Sequence, residues 1–275
     1  TDFATYATTL HPEPLAQWLT VLMEAVRSTP GSMGIATDGD ADRLGLVDEQ
    51  GRFLSSQLFY PLILLSRLKL GELPINAIAK TFSGTMLLDR IAAKYGLDCR
   101  EVPVGYKHIS LMLAQQQIAM GGEESGGLGF VEFIPERDGM YSGLMTLCLM
   151  HKRGMTLAAL LDELQHEFGP VAFERRDLAI ARVAGRDELQ AIMREATASG
   201  SFAGHGVIRT ETLDGVKLWF NDGWVLLRPS GTEALLRLYC EAASQQSVVK
   251  LLDAAVAAVS DPARGLLRSG SVATD

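Results

Sequence analysis

The sequence predicts an α/β protein that closes with a separate α+β domain, and three observations carry this reading. Short apolar runs of strand length alternate with runs of helical spacing as far as Phe168, the pattern of a parallel sheet with crossover helices. Beyond Gly169-Pro170 the pattern turns to hairpins and isolated helices. At 275 residues and 47% hydrophobic content, the chain is long enough for one large domain or two to three small ones, each with its own core.

Pro12 and Pro14 keep the start extended ahead of an amphipathic helix over 15–26. Residues 33–37 form a short apolar strand, and 44–47 with 52–54 flank the turn Asp48-Glu-Gln-Gly51 as a hairpin. The acidic loop from Asp38 to Arg43 therefore lies between strands. A helix over 58–70, a strand over 77–81, a helix over 85–95, a strand over 99–104, a helix over 109–116 and a strand over 118–120 follow in alternation. The Gly-rich segment 121–129, a long helix over 143–152 and a closing helix over 156–168 complete this part. The remainder predicts a strand over 177–183, a helix over 187–198 and a hairpin of 216–220 with 224–228 around Asn221-Asp-Gly223. A strand over 235–242, a helix over 247–259 and a mobile tail at 269–275 end the chain.

Composition narrows the function classes. A net charge of −8 argues against a nucleic-acid or anionic-membrane surface, because such partners attract clustered Lys and Arg. Any phosphate must be gripped locally. Cys99, Cys148 and Cys240 are odd in number and widely spaced, so neither a disulfide scaffold nor a zinc site is expected, and reduced cytoplasmic thiols are. No apolar run approaches the roughly 20 residues of a membrane helix. Thr1 stands where an initiator Met is usual and no targeting pattern follows, from which an N-terminal truncation is expected.

Three loops carry chemistry. Asp38-Gly-Asp-Ala-Asp-Arg43 places carboxylates at alternate positions just past a strand, an oxygen donor set suited to a hard cation such as Mg2+. An EF-hand is the rival, since Asp38, Asp40 and Asp42 fall at loop positions 1, 3 and 5 and Glu49 at 12, but Arg43 occupies the position that needs Gly and the flanks read as strands. A solvated acidic turn is the other alternative, opposed by repulsion among the carboxylates. In Gly121-Gly-Glu-Glu-Ser-Gly-Gly127, glycines permit close approach of a ligand while Glu123 and Ser125 offer partners for sugar hydroxyls; a plain turn is the alternative. Arg228-Pro-Ser-Gly-Thr-Glu233 offers a guanidinium fork and hydroxyls around a phosphate, or else a capped turn. Gly105-Tyr-Lys-His108 adds Lys107 and His108, each read equally well as an ordinary solvated or satisfied side chain.

In this order, DGDADR, VGYKH, GGEESGG and RPSGTE resemble the α-D-phosphohexomutase family of phosphoglucomutases, phosphomannomutases and phosphoglucosamine mutases. HPEPL and ERDGMYSG also look like family segments, so the resemblance covers essentially the whole chain. It implies that residues 1–55 are the end of the second family domain, 56–168 the third (a three-layer α/β sandwich) and 172–275 the α+β fourth.

The resemblance further implies that Asp38, Asp40 and Asp42 hold Mg2+, with Arg43 beside it near a phosphoserine, and that Glu123 and Ser125 bind sugar hydroxyls. Arg228, Ser230, Gly231 and Thr232 then grip the phosphate that is not transferred, and Lys107 or His108 lies near the reacting sugar. Arg137 falls where some relatives carry a Lys regarded as a general base, a role that an always-charged Arg fills poorly. The implied activity is that of an isomerase of carbohydrate metabolism acting on small hexose phosphates. A phosphoserine donates to a hexose 1- or 6-phosphate, and the hexose 1,6-bisphosphate reorients before the serine is rephosphorylated. GEESGG resembles the phosphoglucomutase form of the loop, which favours glucose, with mannose as the alternative; Glu124 and Gly127 disfavour the glucosamine branch.

One family feature is missing. Nucleophile loops of the family read approximately T-A-S-H-N-P, and none of His11, His108, His151, His166 and His205 follows a serine. The expectation is a mutase lacking its N-terminal nucleophile domain and inactive in isolation. A non-catalytic phosphosugar-binding protein is the alternative, and a phosphatase using Asp38 as nucleophile ranks last.

Overall fold

The computed structural model describes residues 13–231, 233–261 and 264–267. His11 and Pro12 of the HPEPL segment, Thr232 of the RPSGTE loop and the tail expected at 269–275 lie outside the described residues. The chain divides into two compact units, Thr1–Phe168 and Gly169–Asp275.

The first unit begins with a 3-10 turn at Ala16–Trp18 and helix α1 (Thr20–Arg27). The single helix expected over 15–26 is thus broken at Leu19, whose φ/ψ of −103°/14° leaves the helical region. Strands β1 (Gly34–Thr37), β2 (Leu44–Val47) and β3 (Phe53–Leu54) form a small antiparallel sheet. Asp48 closes the β2–β3 turn by accepting from the amides of Gln50 and Arg52 at 3.0 and 2.9 Å, an Asx turn that the sequence DEQG specifies.

Helix α2 (Ser56–Leu70) is buried on almost every side, as its nearly uninterrupted apolar sequence requires. Then come β4 (Ala77–Thr81), α3 (Met86–Tyr95), β5 (Asp98–Val102), α4 (Lys107–Ala114), β6 (Met120–Gly122), β7 (Leu128–Phe130), α5 (Gly139–Arg153) and α6 (Leu157–Phe168). Their sheet has the order β5-β4-β6-β7, parallel except for the β6–β7 hairpin. β5 ends at Val102 rather than at 104 because Pro103 has no amide to continue the ladder. Gly121 and Gly122, expected in a loop, belong to β6. Glycine normally weakens strands, but here α4 crosses so close that a Cβ on Gly121 would sit 2.5 Å from Ile109 Cγ2.

The second unit comprises β8 (Ala172–Ala179), α7 (Arg186–Ala196), β9 (Ser201–Phe202), β10 (His205–Gly206), β11 (Arg209–Glu211), β12 (Val216–Phe220), β13 (Gly223–Pro229), β14 (Leu235–Ala242) and α8 (Gln245–Val259). Five of these strands form an antiparallel sheet in the order β11-β12-β13-β14-β8. Alternate residues Leu236, Leu238, Cys240 and Ala242 of β14 meet Val248, Leu251, Leu252 and Ala255 of α8 in one core. β8 starts five residues before the strand expected at 177, since pairing with β14 recruits the charged run Glu174 to Asp177.

The mixed α/β fold with a C-terminal α+β unit is therefore the one the sequence predicts. Leu238 is fully buried, and Leu238→Ala should destabilise the second unit by about 2–5 kcal/mol. Urea unfolding followed by Trp219 and Trp224 fluorescence checks this; an unchanged midpoint contradicts it.

Candidate active site

The metal-type loop is the connection between β1 and β2. Asp38 is buried at its start, and its Oδ1 accepts from the amides of Asp42 and Arg43, both at 3.1 Å. Its Oδ2 accepts from Arg43 Nε at 2.5 Å. Folding the loop back this way puts Ala41 at φ 62°, a left-handed conformation that costs a non-glycine residue on the order of 1 kcal/mol. The Gly139 amide, which opens α5, donates to the Ala41 carbonyl at 2.9 Å and holds that turn.

As a result one carboxylate oxygen from each of Asp38, Asp40 and Asp42 lies within 4.8 Å of the others. Asp42 Oδ1 is buried, makes no hydrogen bond among the described residues and has Arg43 Nε 3.7 Å away, while Oδ2 accepts from Arg137 Nε. A buried carboxylate oxygen left open beside two more carboxylates fits a hard divalent cation. The EF-hand reading fails on Glu49, whose Oε2 instead accepts from the Ala158 amide at 3.1 Å, at the first turn of α6.

The Gly-rich loop joins this site through the backbone. Leu44 donates to the Gly126 carbonyl at 3.1 Å, and Arg43 forms a bridge with Gly127. Gly126 sits at φ +105°, and a Cβ there would lie 2.7 Å from the Leu44 carbonyl oxygen, so both conformation and space demand glycine. Glu123 is buried, with Oε1 accepting from the Gly105 amide and Oε2 from Arg137 Nη1, each at 3.0 Å.

Glu124 turns the other way. Its Oε2 accepts from Ser83 Oγ and its carbonyl from Ser56 Oγ, both at 2.6 Å, so its side chain anchors the loop to the scaffold. Ser125 is half-buried and its hydroxyl makes no hydrogen bond among the described residues. Lys107 and His108 begin α4 just past Gly105; Lys107 is exposed, His108 half-buried, and neither side chain has a partner among the described residues.

Electrostatics follow from this crowding. Burial pushes the Asp42 carboxyl up, against the opposing pull of Arg137. Burial and the neighbouring Glu124 charge likewise raise Glu123, against Arg137 and the Gly105 amide. At Asp38 burial is outweighed by the Arg43 amide and guanidinium, and the carboxyl is held below its ordinary value. Arg137 was legible only as an awkward replacement for a base. Its role as the link between Asp42 and Glu123 is set by contacts far apart in the chain.

The RPSGTE segment belongs to the second unit, where it runs from the end of β13 into the turn before β14. Arg228 Nε donates to Asp214 Oδ2 at 2.8 Å. The buried Ser230 donates its amide to the Leu235 carbonyl at 2.8 Å and accepts from the Glu233 amide on Oγ at 3.2 Å, closing the turn. A Cβ on Gly231 would meet open space. Asp38, Asp40, Asp42, Arg43 and Glu123 thus share one unit with Ser125, Lys107 and His108, while Arg228, Ser230 and Gly231 sit in the other.

Gly139 gives a direct check on the metal loop. A Cβ there would lie 2.5 Å from the Arg43 carbonyl oxygen, so Gly139→Ala must displace the loop backbone. Divalent-cation affinity should fall roughly tenfold to a hundredfold. Equilibrium Mn2+ binding reads this out, and an unchanged affinity contradicts it.

The chain is similar to known proteins in sequence and in fold. Sequence models of the phosphoglucomutase/phosphomannomutase family match residues 2–51 as alpha/beta/alpha domain II, 59–168 as alpha/beta/alpha domain III and 177–259 as the C-terminal domain. A "Phosphoglucomutase/phosphomannomutase" of Thermococcus kodakarensis is 30% identical over 93% of this chain and 53% of its own length. A "Probable phosphoglucosamine mutase" of Methanothermobacter thermautotrophicus is 34% identical over 86% of this chain and 49% of its own. A Thermus thermophilus structure, provisionally described as a phosphomannomutase, superimposes with a TM-score of 0.75 at 33% identity, covering 90% of this chain and 50% of the other. The chain spans about half the length of the curated relatives it matches. Among the described residues no helix is long and apolar enough to cross a membrane. The chain belongs to the phosphoglucomutase/phosphomannomutase family.

Proposed function

We propose that these residues form the metal-binding, sugar-binding and phosphate-binding part of a mutase that interconverts hexose 1-phosphate and hexose 6-phosphate. The observation that supports it most is the meeting of the Asp38, Asp40 and Asp42 carboxylates with Glu123 inside one compact unit, joined by Arg137. In this reading 1–55, 56–168 and 172–275 correspond to the second, third and fourth family domains.

Each group has a chemical task. Asp38, Asp40 and Asp42 hold Mg2+, which when bound offsets negative charge on the phosphoryl group being moved. Glu123 accepts hydrogen bonds from sugar hydroxyls, Ser125 contributes its hydroxyl, and Glu124 fixes the loop's height through Ser83 and Ser56. Lys107 and His108, unengaged at the start of α4, face charge developing on the sugar phosphate. Arg43 is locked in place by Asp38 and by Glu13, which accepts from Nη1 at 3.3 Å, and lies near the phosphoryl donor. Arg228, Ser230, Gly231 and Thr232 retain the phosphate that is not transferred, so one grip serves both orientations of a hexose 1,6-bisphosphate. Glucose is the favoured sugar, on the form of GEESGG, with mannose next.

The chain contains no serine followed by histidine, so the 275 residues alone bind a phosphosugar and a divalent cation without turning the sugar over. A coupled assay with glucose 1-phosphate and glucose 1,6-bisphosphate should show no glucose 6-phosphate formation, while calorimetry shows glucose 1,6-bisphosphate binding that Arg228→Ala weakens. Robust turnover refutes the missing-nucleophile argument, and lack of binding refutes the mutase reading.

A further inference from the structure

Resting on the metal-site reading above, we propose that Arg137 is a positioning residue that couples cation binding at Asp42 to the state of Glu123, acting as a shared internal counter-ion.

The geometry is specific. One guanidinium donates Nε to Asp42 Oδ2 and Nη1 to Glu123 Oε2, so a single rigid fork spans the metal-type loop and the sugar-type loop. The fork sits in a built slot. A Cβ on Gly127 would lie 2.6 Å from Arg137 Cδ, and the guanidinium carbon lies 5.8 Å from the Tyr106 ring centroid. Asp138 follows immediately, capping α5 by accepting from the Tyr141 amide at 2.8 Å, so the backbone at 137 is anchored by a helix start.

Asp42 is therefore asked to serve Arg137 on Oδ2 and a divalent ion on Oδ1, which accepts no hydrogen bond among the described residues and has Arg43 Nε 3.7 Å away. Like charges on one half-buried carboxylate repel, so Arg137 lowers the affinity of the site for metal. A bound ion draws Asp42 away from Arg137 and leaves the guanidinium to Glu123. Conversely, any neutralisation of Glu123 hands the whole guanidinium to Asp42. By linkage the two effects have the same size and sign. A Lys at 137 cannot donate to both carboxylates at once, so it does not bridge the two loops. A purely structural clamp predicts the opposite sign for its removal, since loosening the loop weakens metal binding.

The test is Mn2+ binding to the 275-residue chain at low salt, read as free Mn2+ by electron paramagnetic resonance, with folding checked by circular dichroism. Arg137→Met should tighten Mn2+ binding roughly threefold to thirtyfold. Glu123→Gln should weaken binding more in the wild-type background than in Arg137→Met, a non-additivity that a double-mutant cycle measures. Should Arg137→Met not fold, Arg137→Gln carries the test: tighter Mn2+ binding with a reduced Glu123 effect supports the proposal, and unchanged or weaker binding overturns it. Unchanged or weaker Mn2+ binding by a folded Arg137→Met chain overturns the coupling alone. Wild-type Mn2+ binding that is absent, or indifferent to Asp40→Asn, removes the metal reading and this proposal with it.

Discussion

The arrangement of the first unit turns on charge neutralisation at one point, where Asp38, Asp42 and Glu123 meet the two guanidinium groups of Arg43 and Arg137. Carboxylates this close and this buried repel one another and resist ionisation unless cations lie among them. Arg43 pairs with Asp38 and, at 3.7 Å, with Asp42 Oδ1 from within its own loop, while Arg137 pairs with Asp42 Oδ2 and Glu123 from outside. Much of the local structure serves to aim these two side chains: Ala41 in a left-handed turn, Gly139 donating to the Ala41 carbonyl, Gly126 pressed against Leu44. Asp42 Oδ1 is left without a hydrogen bond among the described residues, and the site's proposed chemistry begins there.

Much of this frame was legible in the sequence because burial imposes a period. Leu44 to Val47 and Leu235 to Ala242 sit in strands whose apolar residues have to meet a core, and the carboxylates at alternate positions of DGDADR stand in a connection between two such strands. Elements that break their local preference were harder to place. Glycines at 121, 122 and 129 argue for a loop, yet they form the β6–β7 hairpin because neighbouring side chains leave no room for a Cβ. The charged run in β8 and the two-residue strands β9 and β10 carry too little apolar pattern to announce themselves.

Side-chain partners were less visible still, since they depend on residues distant in sequence. Glu123 and Glu124 are adjacent and identical in type, but one faces Arg137 and the other Ser83. Glu49 matches the last ligand of a calcium loop by count alone, and the start of α6 claims it instead. In the second unit, Ser230 closes its own turn and Arg228 is matched by Asp214, partners that the RPSGTE segment alone does not announce. Relatives named for glucose, mannose and glucosamine phosphates resemble this chain to similar degrees.

The central claim is that the acidic loop and the Gly-rich loop form one site around a divalent cation. A Mn2+ titration followed by amide NMR addresses it most directly, because paramagnetic broadening reports distance from the ion. The account predicts that the amides of Asp40 to Arg43 and of Glu123 to Gly127 broaden together at the lowest Mn2+ concentrations. Broadening confined to other surfaces, or to one loop without the other, contradicts it.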